Sequence, residues 1–474
     1  MNTPNKRQDS ANKQLERIDS LVREKRFNEA FASLKGISTE FCEQVSSKEA
    51  AYYHYLEGYI LWELGDKKLA VNAARKALDM YLSLREFAGI AKAENLIGSL
   101  LIDLGNLTSA QEHLQQAIAG FKFAGDFPSA ARALNQLAYL HYTKGEFSLA
   151  THFNKEAREC ADKANDHYYA IVLGGSLAAY QVFYGQWKLA MANLGPYLRE
   201  TKKAKDFYNI VSGLVLSGVS KKLGGNSKSA RADYIEAVRL AGQENLIGNL
   251  KIAYEYLAEL SIAEGRFAEA EDYLKKALEI GERVSPYGTI MTQCWRLMGD
   301  LYNAKGEPSE ALKAYETCES YLIKLPEELE RGACFVGRGV AYANLKNWKD
   351  AKSAFDRAFE VFENCENDWE LFKAVVTAVE CGAYASKQMG TELLMGCEFF
   401  QKYEHPAWEE RARKLLGGLE GAHDRLPLDA KKGNLEKQEI ITALQETGNN
   451  VTLAAKKLGL LRSTLHYKIK RYKI

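Results

Sequence analysis

Small, apolar and polar positions repeat along this chain with a period of about forty residues. An alanine returns as Ala30, Ala70, Ala110, Ala150, Ala190, Ala230, Ala270, Ala311 and Ala351, in steps of 40 with a single step of 41. Five residues before seven of these stands a glycine (Gly65, Gly105, Gly145, Gly185, Gly225, Gly265, Gly306), followed by Asp, Asn, Glu, Gln or Arg. That order reads as a helix C-cap and a tight turn. Twelve residues before the alanine lies another small residue in eight of nine units: Gly58, Gly98, Ala138, Ala178, Gly218, Ala258, Gly299 and Gly339, with Ile18 the exception. Small residues at these offsets let two antiparallel helices approach, and larger neighbours such as Leu257, Phe267 and Leu274 fill the remaining space.

The pattern resembles the tetratricopeptide repeat in its forty-residue variant, known from kinesin light chains and bacterial peptide-sensing regulators, over residues 12 to about 365. Each helical hairpin can bury its apolar face only against its neighbours, so the expected fold is all-α: a superhelical solenoid of about nine helical hairpins. The family's proline at the end of the second helix is mostly missing, which leaves boundaries there open. Three further helices, at 369–389, 391–401 and 406–420, read as the capping end of a solenoid spanning 12–420. Gly417-Gly418 and the stretch from Gly421 to Asn434, with Pro427, break the periodicity, and a linker is expected at 421–434.

Residues 435–474 form a different pattern, a small three-helix domain. The first helix runs from about Glu436 to Glu446 with Ile440, Ile441 and Leu444 on one face, and stops at Gly448. Asn450 precedes a short helix, Thr452–Leu458, with Ala454, Ala455 and Leu458 inward, and Gly459 makes the turn. A third helix from near Arg462 puts Leu465 and Ile469 on the core side. Arg462, Ser463, His466, Tyr467, Lys470 and Arg471 are left outside, with Lys468 and Lys473 flanking. An apolar side for the core and a basic side for a major groove are what a recognition helix requires. Gly448 to Thr452, Ala454-Ala455, Leu458-Gly459, Arg462 to Leu465, Lys468, Lys470 and Tyr472 resemble the DNA-binding domain of the Fis family, found also at the end of NtrC-type activators. The resemblance implies that Arg462 reads a base while Thr452, Thr464 and Lys468 hold the backbone. Two features depart from it: His466-Tyr467 stands where the family usually has Tyr and then a basic residue, and a single helix precedes the motif.

Charge sharpens the division. The whole chain is near neutral, 63 Lys and Arg against 62 Asp and Glu, but residues 431–474 hold ten basic residues and three acidic ones. The remainder is acidic by about six charges, so the tail alone has the surface of a nucleic-acid ligand. Only 8 residues are proline, consistent with long helices. The eight cysteines are scattered without metal-ligand or disulfide spacing, and neither a signal core nor an 18-residue apolar run is present, which points to a cytoplasmic chain.

Positions on the first helix of each hairpin are expected to face the inner groove. The second unit offers Tyr52, Tyr55, Tyr59 and Trp62, the third Asn95, Ser99 and Asp103, and the fourth Arg132, Asn135, Tyr139 and Tyr142. Asn95 and Asn135 are equivalent across one repeat, and similar Asn ladders in related arrays hold the backbone of an extended peptide. The aromatic residues also fit half-buried packing between hairpins, and the Asn residues fit turn capping. Gln293, Arg296, Asp300 and Asn303 form a second polar set.

Other chemistry finds little footing. The chain has no Gly-Lys dipeptide and so no phosphate-binding loop of the ATPase type; Gly224-Gly225-Asn226-Ser227-Lys228 falls on a repeat turn. Neither a zinc-protease nor a serine-hydrolase motif occurs, and Glu327-Glu328 after Pro326 suits a helix N-terminus. An enzyme, a cofactor and a metal site are not expected. The reading is a bacterial-type transcriptional regulator that pairs as a homodimer on double-stranded DNA and holds a protein or peptide partner in its solenoid. Two alternatives stay open: a scaffold with a merely basic tail, and a targeting subunit for a separate ATPase activator.

Overall fold

The computed structural model describes the backbone of residues 3–24, 26–36, 47–284, 289–323, 327–417, 430–472 and 474, and side chains over 13–24, 26–36, 47–283, 289–323, 327–417, 436–469, 472 and 474. The described residues form 24 helices and no strand. Up to Asn364 the helices pair into nine hairpins, most of two 17-residue helices joined by a short turn, as in Phe87–Asp103 with Leu107–Phe123.

All nine phase-setting alanines are fully buried. The seven turn glycines ahead of them, from Gly65 to Gly306, all have positive φ, between 72° and 91°. This left-handed residue lets the chain reverse within a few positions at no steric cost. The small residues earlier in each hairpin are held by close approach. A Cβ at Gly218 would lie 2.3 Å from the ring of Tyr234, and one at Gly299 would lie 2.4 Å from that of Tyr315. Both tyrosines are fully buried.

The chain divides into two compact units, residues 1–142 with 148–173, and residues 143–147 with 174–474. The first has a core of Ala, Leu and Ile from successive hairpins, among them Ala74, Ile97, Leu100, Leu114 and Leu134. The second contains the later hairpins, the capping helices and the C-terminal three-helix domain. Its capping helices are Asp368–Glu380, Gly390–Lys402 and Pro406–Gly417. The first of them is shorter than the expected 369–389, because Gly382 adopts φ 82° and ends it.

This cap folds back onto the turn at 183–187. Asn367 Nδ2 donates to the Phe183 carbonyl at 3.2 Å, the Tyr184 hydroxyl to the Cys365 carbonyl at 3.2 Å, and Trp187 Nε1 to the Tyr403 carbonyl at 3.1 Å. His405 Nε2 lies 2.7 Å from the Gly185 carbonyl oxygen, and Trp369 covers Gly185 so closely that a Cβ there would be 2.9 Å from its ring. Burial holds His405 below the usual imidazole range, consistent with a neutral ring donating to that carbonyl. The seven described cysteines are free thiols; Cys42 lies outside the described residues.

Candidate nucleic-acid interface

The C-terminal domain is built from Ala430–Glu446, Val451–Leu458 and Arg462–Tyr472. The first helix begins ahead of the expected Glu436, so 430–434, read from sequence as linker, are helical; residues 418–429 lie outside the described set. Asn450 caps the second helix, its side chain accepting from the Leu453 amide at 3.1 Å. Gly459, at φ 65°, ends it and turns the chain into the third. A core of Ile440, Ala443, Leu444, Ala454, Ala455 and Leu465 holds the three together, with Val451, Leu458, Leu460, Ile469 and Tyr472 packed on it. Ala443 takes the place that the sequence reading gave to Ile441.

The nine residues assigned to DNA fall into four groups. Thr452 and His466 are exposed and Tyr467 is half-exposed. Lys468, expected on a phosphate, instead pairs with Glu436 at 2.8 Å, bracing the third helix against the first; Tyr472 also donates to that carboxylate. The side chains of Lys470 and Arg471 lie outside the described residues.

Arg462, Ser463 and Thr464 are not open to solvent in the way the sequence reading expected. They sit against the cap. The Ser463 amide and hydroxyl donate to Glu363 Oε1 at 2.9 and 3.0 Å. The Thr464 hydroxyl donates to Glu392 Oε1 at 2.6 Å, and Thr464 is 1% exposed. An Arg462 guanidinium nitrogen lies 3.6 Å from Glu366, and Leu461 packs on the apolar core of the cap. This docking has a physical reason: Arg462, Ser463 and Thr464 make up the first turn of a helix whose amide dipoles attract an anion, and three carboxylates of the same chain surround it.

The groove residues of the first unit come together. Tyr52 stacks on Tyr55 at 6.0 Å, Tyr59 meets Trp62 edge-on at 5.9 Å, and Trp62 Nε1 donates to Asp103 at 2.7 Å. Tyr139 stacks on Tyr142 at 6.2 Å, and the Arg132 guanidinium lies over the Tyr169 ring at 5.8 Å. Burial, then Asp19, pushes the Tyr55 hydroxyl up to about 12. Ser99 is buried. The Oδ1 atoms of Asn95 and Asn135 are both shut off from solvent without a hydrogen-bond partner. Two equivalent acceptors in that condition are costly unless something donates to them.

In the second unit Arg296, Asp300 and Asn303 line a cavity of ≈ 290 Å³ with Glu370, Lys373 and Trp408; Gln293 does not line it. Arg296 pairs with Glu330 at 2.6 Å and with Asp300 at 2.7 Å, and Tyr315 donates to Asp300 at 2.6 Å. Burial, then Glu330, drives the nearby Glu255 carboxyl well above the carboxylate range. The first three of these polar residues were singled out from sequence; the contribution of the cap was not, since no repeat offset relates it to them.

Among the described residues no cluster of His, Cys, Asp or Glu has the arrangement of a metal site, and no helix is long and apolar enough to cross a membrane.

Comparison with known proteins agrees with this architecture. The model for the bacterial regulatory protein, Fis family, matches residues 433–472, and tetratricopeptide repeat models match 51–83, 89–163 and 250–322. Among solved structures, a Rap protein complexed with Competence and Sporulation Factor is similar at 15% identity and TM-score 0.58, covering 76% of this chain and 99% of that one. The apo form of RapI is similar at 14% identity and TM-score 0.50, covering 59% and 100%. Cilia- and flagella-associated protein 70 of Homo sapiens is 30% identical over 112 residues, 24% of this chain. The match spans only 9% of that protein's length. The chain thus joins tetratricopeptide repeats, in an all-α hairpin array, to a C-terminal helix-turn-helix domain of the Fis family.

Proposed function

We propose that this protein is a cytoplasmic, non-enzymatic transcriptional regulator whose C-terminal domain reads double-stranded DNA and whose repeats bind a protein or peptide. The observation that carries the reading is the Asn450-capped helix, the left-handed Gly459 turn and the following helix Arg462–Tyr472, folded on one core within the segment that matches the Fis family. A helix in that position places its first turn and one face toward a major groove. Arg462 takes the base-reading role, with Ser463, Thr464, His466 and Tyr467 beside it and Thr452 on the backbone.

The repeat array supports the second half. Asn95 and Asn135 stand one repeat apart, flanked by Tyr55, Tyr59, Trp62, Arg132, Tyr139 and Tyr142, residue types suited to the amide groups and side chains of an extended segment. A Rap protein of similar fold has been solved with Competence and Sporulation Factor bound. A domain of this size reads few base pairs, so two chains pair on a site with two-fold symmetry.

Selection of genomic fragments by the full chain, followed by footprinting and a salt titration, tests the reading. A protected two-fold site whose affinity falls steeply with salt is expected; absence of any salt-sensitive binding overturns it. The burial of Thr464 favours a second reading, a scaffold whose basic tail is a permanent part of the cap. Deleting residues 431–474 separates the two, since a scaffold keeps its partners and its cellular effect without them.

A further inference from the structure

The geometry points to a resting state in which the cap and the end of the last repeat hairpin hold the DNA-reading helix shut, with their carboxylates in the positions that DNA phosphates take on binding. This rests on the DNA-binding reading above and adds how that binding is controlled.

The contacts of four consecutive residues carry it. Leu461 is seated on the apolar core of the cap. Arg462 pairs with Glu366, Ser463 donates twice to Glu363, and Thr464 donates to Glu392 within a buried contact. The first turn of a recognition helix is the part that meets base edges and the adjoining phosphates. Here the free backbone amide of Ser463, one of the orphan donors of the helix start, is satisfied by a carboxylate oxygen at 2.9 Å. A phosphate oxygen satisfies the same amide by the same chemistry. Duplex and cap therefore compete for one set of donors, and Thr464 at 1% exposure leaves no room for both.

Three acids drawn from different elements converge on this one turn. Glu363 is at the end of Trp348–Asn364, Glu366 in the turn after it at φ 51°, and Glu392 in Gly390–Lys402. Glu392 is itself buried, 7% exposed, so its carboxylate is kept out of water by the docked helix and returns to solvent when the helix leaves. The rest of the helix, with His466 exposed and Tyr467 half-exposed, remains outside the contact. The core of the three-helix domain shares no residue with that of the cap.

The test compares the full chain with Glu363→Ala/Glu392→Ala, and with a control of equal charge change at exposed acids of the same region, Glu360→Ala/Glu398→Ala. Affinity for a fluorescein-labelled 30-base-pair duplex drawn from the selected fragments is read by anisotropy, and amide exchange over residues 460–466 by mass spectrometry. The expected result is about tenfold or tighter binding by the first variant alone, with faster exchange in that segment. Equal affinity and equal exchange in all three proteins overturn the latch while leaving the DNA-binding reading intact. Equal tightening by the control reduces the effect to bulk charge and also overturns the latch. No binding by any of them, with exchange released in the first variant, overturns DNA reading itself and with it the competition proposed here.

Discussion

Ser463 gives both its amide and its hydroxyl to a single carboxylate oxygen of Glu363, at 2.9 and 3.0 Å, across a hundred positions of sequence. The contact ties the segment that carries the Fis-family motif to the end of the last repeat hairpin. Under the latch proposed above, any DNA affinity measured on the full chain is the product of an intrinsic affinity and the fraction of molecules in which that contact is broken.

Arg462→Ala separates those two quantities. Measured in the Glu363→Ala/Glu392→Ala background, the loss of a bidentate base contact is expected to cost roughly 1–3 kcal/mol of DNA affinity and to relax selectivity at one position of the site. In the otherwise unaltered chain the loss is slightly smaller, because the substitution also removes the ion pair to Glu366. That pair is long, at 3.6 Å, and its Glu366 side chain is 63% exposed, so the offset is small. Competition anisotropy against single-base variants of the site checks both.

Asn95→Leu and Asn135→Leu test the repeat groove by setting stability against binding. Each native Oδ1 is buried without a partner, and an apolar side chain of similar size has no such group to leave unsatisfied. The double variant is expected to melt at the same temperature as the parent or higher, while losing any protein or peptide that the parent retains in a pull-down. A fall in melting temperature of several degrees would assign both residues to the scaffold instead.

Close approach within the hairpins predicts a contrast between two glycine substitutions. Gly299→Ala places a methyl against the ring of Tyr315, which is fully buried and held by hydrogen bonds to Asp300 and Asn303. It is expected to destabilise the second unit by about 1–3 kcal/mol. Gly242→Ala meets nothing within 4 Å in a helix and is expected to be neutral or stabilising by up to about 1 kcal/mol. Urea unfolding monitored by circular dichroism distinguishes them.

The array shows which features of sequence carry structure and which do not. The alanine phase and the glycine turns were legible because each has a local steric cause: an alanine with no exposed surface, a glycine at positive φ. The alternate turns, between one hairpin and the next, use Arg85, Asn165, Lys205 and Asn245 in the same left-handed conformation, and such varied residues gave no signal. The helix-turn-helix was legible from its caps and core. Its docking was not, because in the sequence an acid such as Glu363 and a serine a hundred residues later both look solvated until the fold brings them together. The pairing of Lys468 was hidden for a related reason: Glu436, its partner, is 32 positions away.

The ninth hairpin should also respond to pH through Glu327. Burial, reinforced by Glu330, pushes this carboxyl up to about 8. The residue as a whole is half-buried, but its Oε2 is closed off from solvent without a partner, as a protonated acid tolerates. Its folded pKa exceeds that of an unfolded Glu, about 4.3, so the stabilisation is complete below that value and is lost as pH rises through about 8. Glu327→Gln stays neutral throughout. It is expected to match the parent at pH ~4 and to exceed it at pH ~9 by about 1–3 kcal/mol in thermal unfolding.

The most direct measurement of the central claim is a salt titration of duplex binding by Glu363→Ala/Glu392→Ala and by the same chain with Arg462→Ala added. A steep linear fall of log affinity with log salt is expected for both, with a weaker and less selective complex when Arg462 is absent. Two titrations that coincide at every salt concentration, or binding indifferent to salt, would contradict it.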